Sequence, residues 1–336
     1  MLAVVCETPG VLKLVERPKP EPAPGEVLIA VRRMGVCGTD LHIFEGTHPF
    51  LAYPRVMGHE LSGVVVGGNG TKLKAGTEVF IIPYLSCGTC GACAKGLTNC
   101  CAKLSVLGVH QDGGMCDYVA VPEAFAVPAE GLSLDEMALV EFLAIGAHAA
   151  RRASPPPGTK AVVIGAGPIG LASALFLRER GAEVTVVDTR ADRLAVANRL
   201  CFESTMPAGP DLRDRLLERT DGELCELVLD ATGHAAAMEA SFGYVAHGGT
   251  LVFAGIVKTD LRFSDPELHK REMTVKATRN ATPEDFATVV NAIRSRRVPA
   301  ASLISHRAPL AASVGEFPSW VRPDTGVVKA VVEIGA

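Results

Sequence analysis

Cys87, Cys90, Cys93 and Cys101 fall in the pattern C-x2-C-x2-C-x7-C. Four thiolates within fifteen residues can close a tetrahedral shell around one Zn²⁺, with sulfur at about 2.3 Å. Gly88, Gly91 and Gly96 let so short a loop fold back on itself. A shell of four protein ligands leaves no open position, so this ion would be structural rather than catalytic. The competing reading is a disulfide-stapled loop, which belongs to secreted chains, and nothing else in the sequence looks secreted. Spacing leaves one choice open, because Cys100 adjoins Cys101.

A second set of metal-ligand types lies upstream, in Cys37-Gly38-Thr39-Asp40-Leu41-His42 and Gly58-His59-Glu60. Singly, such residues are more often packed core. Together, Cys37 and His59 with carboxylates from Glu60 and Glu141 offer mixed S, N and O ligands. Catalytic zinc uses three protein ligands and keeps one position for water or substrate.

Downstream, Gly165-Ala166-Gly167-Pro168-Ile169-Gly170 follows the apolar run AVVI and opens a helical pattern. In such a G-x-G-x-x-G the first glycine makes the tight turn and the second admits the pyrophosphate. The third lets helix and strand pack closely. The free N–H groups and dipole of the helix start then favour the anion. Asp188 ends the next strand-like run, 21 residues after Gly167. A carboxylate there bonds ribose hydroxyls and repels a 2′-phosphate, so NAD is expected over NADP. Arg190 and Arg193 lie close by and are cations able to hold a phosphate. They read equally as surface charges, or, for Arg193, as a flank for the adenine.

The elements that must position these groups follow from periodicity. A proline-rich connector (ERPKPEPAPG, 16–25) leads into short strand-like runs at EVLIAVRRMGVCG, LSGVVVG (61–67), GTEVFIIP (76–83) and CDYVAVP (116–122). Short strands broken by Gly and Pro predict a β-barrel-like first domain. Asp135 to Ala153 reads as one helix, and Pro155-Pro156-Pro157-Gly158 as a seam. Beyond it, KAVVI, EVTVVD, ELVLDATG and TLVFAGI alternate with helical segments such as PIGLASALFLRERG, DRLAVANRL and AAMEASFGYVAHGG. That alternation predicts βαβ units on a parallel sheet. The tail adds a helix (PEDFATVVNAIRS) and a closing strand (GVVKAVVEI).

Bulk properties narrow the function classes. The chain has 336 residues, 48% hydrophobic and 21% charged, with net charge −4. It is long enough for two domains with cores of their own. No basic run offers a nucleic-acid footprint. MLAVVCETPG lacks a basic n-region. One long uncharged stretch, Ala161–Leu177, is broken by Gly165, Gly167, Pro168 and Gly170 and reads as strand, turn and helix rather than a membrane span. Ten cysteines with a zinc-type cluster fit a reducing cytoplasm.

CGTDLH, GHE, the four-cysteine lobe and GAGPIG, in that order, make the chain resemble a zinc-containing medium-chain alcohol dehydrogenase/reductase. The resemblance covers essentially the whole length. It implies a GroES-like β-barrel catalytic domain (1–145 and 285–336, with a zinc lobe at about 85–103) and a Rossmann NAD-binding domain (146–284). It implies two zincs per chain, one on Cys87, Cys90, Cys93 and Cys101, the other on Cys37, His59 and Glu60 with Glu141 near the metal. Ethanol-type relatives carry cysteine at the last position, so Glu141 points to the polyol-like side. Asp40 would orient the His59 ring, a service metal-bound histidines need. Thr39 and His42 match the family's proton relay. Gly165, Gly167, Pro168, Ile169, Gly170, Asp188, Arg193, Thr232, Gly255, Ile256 and Arg279 match cofactor-binding positions. One departure is Phe142, where such relatives often carry proline.

HPFLAYPRVMGHE and TRNATPEDF are similar to dehydrogenases that act on a secondary alcohol of a polyol or sugar acid, of the sorbitol and L-galactonate/L-gulonate kind. A substrate carboxylate would need a cation, which Arg279 or Lys258 would supply. The alternatives are an L-threonine 3-dehydrogenase-like enzyme and, more distantly, a noncatalytic zinc-binding module. Relatives pair as dimers or tetramers through edge strands of their nucleotide domains, and TLVFAGIV (250–257) is the expected edge.

Overall fold

The structure, a computed structural model, describes residues 1–48 and 51–335. Pro49 and Phe50 of the HPFLAYPRVMGHE stretch lie outside the described residues. The chain forms two units, Met1–Glu141 with Val289–Ala336, and Phe142–Thr288. The proline run 155–158 lies inside the second.

The first unit is built on a seven-stranded sheet whose hub is Glu26–Val36. This strand pairs antiparallel with Glu60–Gly68, with Tyr118–Pro122 and with Lys329–Glu333. The expected strand is half-buried, yet Val27 to Val31, an unbroken apolar run, are all buried. The reason is its central place: the short helix Leu134–Ala138 packs against it, and Ile29, Val31 and Met34 join the apolar core. Each such side chain contributes about 1.5–3 kcal/mol through burial. The helix Leu310–Trp320 adds Phe317, whose ring lies 5.4 Å from Phe44 and 5.6 Å from Trp320.

The single helix expected over Asp135–Ala153 is two, Leu134–Ala138 and Val140–Ala153. The first closes with a tightened turn in which Leu139 N–H donates to Glu136 carbonyl rather than one residue further back. Its start carries a reciprocal cap between Ser133 and Glu136.

The second unit is a six-stranded parallel sheet in the order Ser204–Pro207, Glu183–Asp188, Lys160–Ile164, Cys225–Asp230, Val245–Phe253, Thr274–Ala277. Val162, Val186, Val228 and Val252 are fully buried, as a sheet covered on both faces requires. The segment AAMEASFGYVAHGG is α-helical only to Ser241, tightens to a 3-10 turn at Phe242–Tyr244, and is already strand at Val245. Consequently 250–257 is not an edge. Val245–Phe253 is flanked on both sides, and the exposed edge is Thr274–Ala277.

His148, without sequence context, braces this unit. Its Nδ1 lies 2.8 Å from Asp285 Oδ2, and Arg151 Nε donates to Asp285 Oδ1 at 2.7 Å. Thr282 N–H and Oγ1 donate to the same carboxylate at 2.9 and 2.8 Å, capping the helix Pro283–Arg294.

Candidate active site

Strand register assembles the upstream pocket. Gly35 stands opposite Glu60, and Val36 opposite Ala330. Cys37 at the end of the hub strand, Glu60 and Lys329 are thereby delivered to one place. A side chain at position 35 would overlap Glu60 Oε2, so only glycine leaves room for the carboxylate. Cys37, His59 and Glu60 bring ligand atoms within 4.8 Å of one another. Asp40 is fully buried, and its carboxylate accepts from Cys37 N–H at 2.9 Å and Gly58 N–H at 3.1 Å. It ties the two ligand-bearing segments together. Its distance to His59 Nδ1 is 3.8 Å, too long for the ring-orienting hydrogen bond expected from the sequence.

The pocket fits a zinc ion. Glu141 Oε2 is a buried polar atom with no hydrogen-bond partner, which buried polar groups rarely tolerate. The donors are the S, N and O types zinc takes. Burial alone would push the His59 pKa down, but Asp40 and Cys37 raise it well above the usual imidazole value. A zinc ligand presents its imidazole in the neutral form.

Two further residues, absent from the sequence reading, stand in this pocket. Lys329 is 1% exposed, and its Nζ donates to Glu60 Oε1 at 2.6 Å, to Oε2 at 2.7 Å and to Val36 carbonyl at 3.2 Å. Burial alone would lower its pKa; Glu60 and Cys37 outweigh that and raise it. Tyr84, also buried, donates its hydroxyl to Glu141 Oε1. Burial pushes Glu141 up to about 7, against the lowering pull of His59. A lysine within the apolar run VVKAVVEI was a readable signal for Lys329; nothing in the sequence marked Tyr84.

Thr39 and His42 share one face of the helix Gly38–Phe44. Thr39 is half-buried and His42 exposed. His42 Nδ1 lies 3.2 Å from Thr47 Oγ1 and 3.6 Å from Glu45.

The cysteine lobe resolves its own ambiguity. Cys87, Cys90, Cys93 and Cys101 cluster within 4.8 Å, while Cys100 is exposed and outside the cluster. Sulfur separations are 3.5 Å for Cys90–Cys93, 3.9 Å for Cys90–Cys101 and 3.5 Å for Cys87–Cys101. Tetrahedral Zn–S bonds of about 2.3 Å place sulfurs about 3.8 Å apart, whereas a disulfide needs about 2.05 Å. The lobe fits zinc and excludes the stapled loop. Backbone N–H donation from Thr89 heads the causes that lower the Cys87 pKa to about 6. Cys90→Ser is expected to lower the melting temperature and halve zinc content, read by calorimetry and metal analysis, while the Cys37 pocket stays assembled.

In the second unit, parallel strands bring Gly165, Asp188, Thr232 and Gly255 to one end of the sheet, where such folds bind ligands. A Cβ at Gly170 would overlap the Gly165 carbonyl, and at Gly167 nothing lies within 4 Å of that position, which leaves the cradle open. Gly167 precedes the helix Pro168–Glu179, with Ile169 in its first turn. Asp188 Oδ2 accepts from Ala166 N–H at 2.7 Å and Oδ1 from Arg190 N–H at 2.8 Å. Arg190 is turned onto Asp192 at 3.0 and 2.5 Å. Arg193 has a buried Nη1 without a partner. These groups fit a dinucleotide. Thr232 donates to Asp230 Oδ1 from both N–H and Oγ1, while Ile256, Lys258 and Arg279 are exposed. Asp188→Ser should raise the KM for NAD about tenfold or more, since hydrogen bonds to a charged group are worth about 1.5–3 kcal/mol. KM values for NAD and NADP measured side by side would show the preference narrowing.

Residues 23–131 match the alcohol dehydrogenase GroES-like domain family, and residues 168–295 the zinc-binding dehydrogenase family. The chain is 43% identical to L-galactonate-5-dehydrogenase of Escherichia coli (strain K12), over 99% of this chain and 98% of that protein. It is 33% identical to D-altritol 5-dehydrogenase of Agrobacterium fabrum, over 92% and 93% of the two chains. An Escherichia coli alcohol dehydrogenase crystallised with NADH superposes with a TM-score of 0.92 at 27% identity, covering 99% of both chains.

Proposed function

The chain belongs to the zinc-binding alcohol dehydrogenase family, and from that premise we propose that it oxidises a secondary hydroxyl of a polyol or sugar acid with NAD. The observation that carries this reading is the Cys37, His59 and Glu60 pocket with a second carboxylate, Glu141, buried beside it. Likeness to dehydrogenases named for L-galactonate and D-altritol supports the substrate class.

When bound, zinc supplies Lewis acidity to a hydroxyl and NAD supplies the hydride acceptor. The chain supplies the rest. Cys37, His59 and Glu60 hold the ion, and burial of His59 and Glu60 keeps bulk water away from them. Thr39 Oγ1 takes the hydroxyl proton as it gives up its own to the relay, and the exposed His42 imidazole passes that proton to solvent. The helix start at Pro168 takes the pyrophosphate, and Asp188 takes the ribose hydroxyls. Arg279 or Lys258 is the cation for a substrate carboxylate.

We place the protein in the cytoplasm on its ten cysteines, all unpaired; among the described residues no helix is long and apolar enough to cross a membrane. Assembly into dimers or tetramers would use the exposed edge Thr274–Ala277. The test is NAD-linked turnover of L-galactonate, L-gulonate, sorbitol and L-threonine. Turnover of a sugar acid or polyol above threonine is expected; activity confined to L-threonine, or none, overturns the substrate class.

A further inference from the structure

Four side chains with metal-ligand chemistry crowd one pocket, yet a zinc that accepts an alcohol keeps only three protein ligands. Cys37, His59 and Glu60 form the set within 4.8 Å, and Glu141 stands outside it. Glu141 is nonetheless 2% exposed and close enough to feel both His59 and Glu60. Its Oε2 has no hydrogen-bond partner, while Oε1 accepts from Tyr84. A bare carboxylate oxygen beside a divalent ion is drawn to it, and a fourth ligand would fill the position the substrate needs. Tyr84 is placed to resist that move. It sits on the strand Tyr84–Leu85, paired with Ser105–Val106, so its ring is fixed by backbone bonds as well as burial. Carrying Glu141 onto the metal would break its bond to Tyr84, a hydrogen bond made in a buried site and to a charged group.

We propose that Tyr84 is a positioning residue that holds Glu141 back from the zinc, keeping one metal position open for the alcohol. The inference rests on the dehydrogenase reading and deepens it. It assigns Glu141 Oε2 as an acceptor for a substrate hydroxyl hydrogen rather than as a permanent ligand. Glu60, by contrast, stays in the ligand set, its charge balanced by the Lys329 ammonium.

The experiment measures zinc release from the full-length holoenzyme to a chromophoric chelator, following the phase that Cys37→Ser abolishes. In Tyr84→Phe, Glu141 is free to close on the metal, so release should slow fivefold or more. KM for the alcohol should rise about tenfold with a smaller change in kcat, because the carboxylate now competes for the open position. In a Glu141→Gln background, Tyr84→Phe should alter neither quantity. Release at or above the wild-type rate, or an undiminished effect in the Glu141→Gln background, overturns the proposal. If Tyr84→Phe folds poorly, Tyr84→Met, similar in reach and without a hydroxyl, is read with the same expectations. Zinc release needs no substrate. A wild type that oxidises no alcohol would therefore overturn the dehydrogenase reading while the release rates still decide the role of Tyr84.

Discussion

Cys37→Ser should cost at least about a thousandfold in kcat/KM, equivalent to about 4 kcal/mol of transition-state stabilisation. A hydroxyl is a far weaker ligand for zinc than a thiolate. Removing Cys37 leaves only His59 and Glu60 in the clustered set, and Glu60 is already shared with Lys329. The fold should survive. Position 37 is only half-buried and precedes the helix Gly38–Phe44, where serine is a favoured cap. Its backbone N–H keeps its bond to Asp40. Metal analysis should fall from two zincs per chain to one, with the melting temperature within a few degrees of wild type. A variant that keeps a tenth of wild-type activity would remove Cys37 from the site.

Lys329→Met should destabilise the metal-free first unit by about 3–5 kcal/mol, the usual loss when one partner of a buried pair is removed. Lys329 and Glu60 are 1% and 0% exposed, so water cannot solvate the carboxylate that remains. Gly35 offers no side chain to cover it. Zinc changes the sign of the problem. An ion in the pocket compensates the stranded carboxylate, so adding zinc should restore much of the loss through linkage. Glu60→Gln combined with Lys329→Met should recover stability without metal, since replacing both charges is often close to neutral. Thermal melts of chelator-treated and zinc-loaded protein read both effects. A metal-free Lys329→Met as stable as wild type would deny that the pair balances its charge internally.

Much of this was legible in the sequence for a physical reason: zinc ligands and phosphate loops need particular atoms at particular separations along the chain. The four cysteines, within fifteen residues, had to meet, and they do. The glycine loop needs a strand before it and a helix after it, both adjacent. Cys37 with His59 was harder, being 22 residues apart, and family resemblance rather than spacing joined them. Lys329 and Glu60 are separated by 269 residues. Only the register of three strands brings them together, and register is a tertiary fact. Tyr84 was invisible because a tyrosine after a proline looks like any other core aromatic. The edge strand was misread because TLVFAGIV has no polar side chain after Thr250, which marks an interior strand of a parallel sheet.

The first unit is discontinuous: the chain leaves it after Glu141 and returns at Val289. The strand Lys329–Glu333, which neutralises Glu60, is translated only after all of Phe142–Thr288. A nascent chain therefore carries Cys37, His59 and Glu60 without their counter-cation throughout synthesis of the nucleotide domain. Domains tend to fold as units while being made, so the ribosome would release the second unit finished and the first still electrically unbalanced. Early zinc capture is one way to bridge that interval, which makes metal supply a matter of biogenesis as well as of turnover.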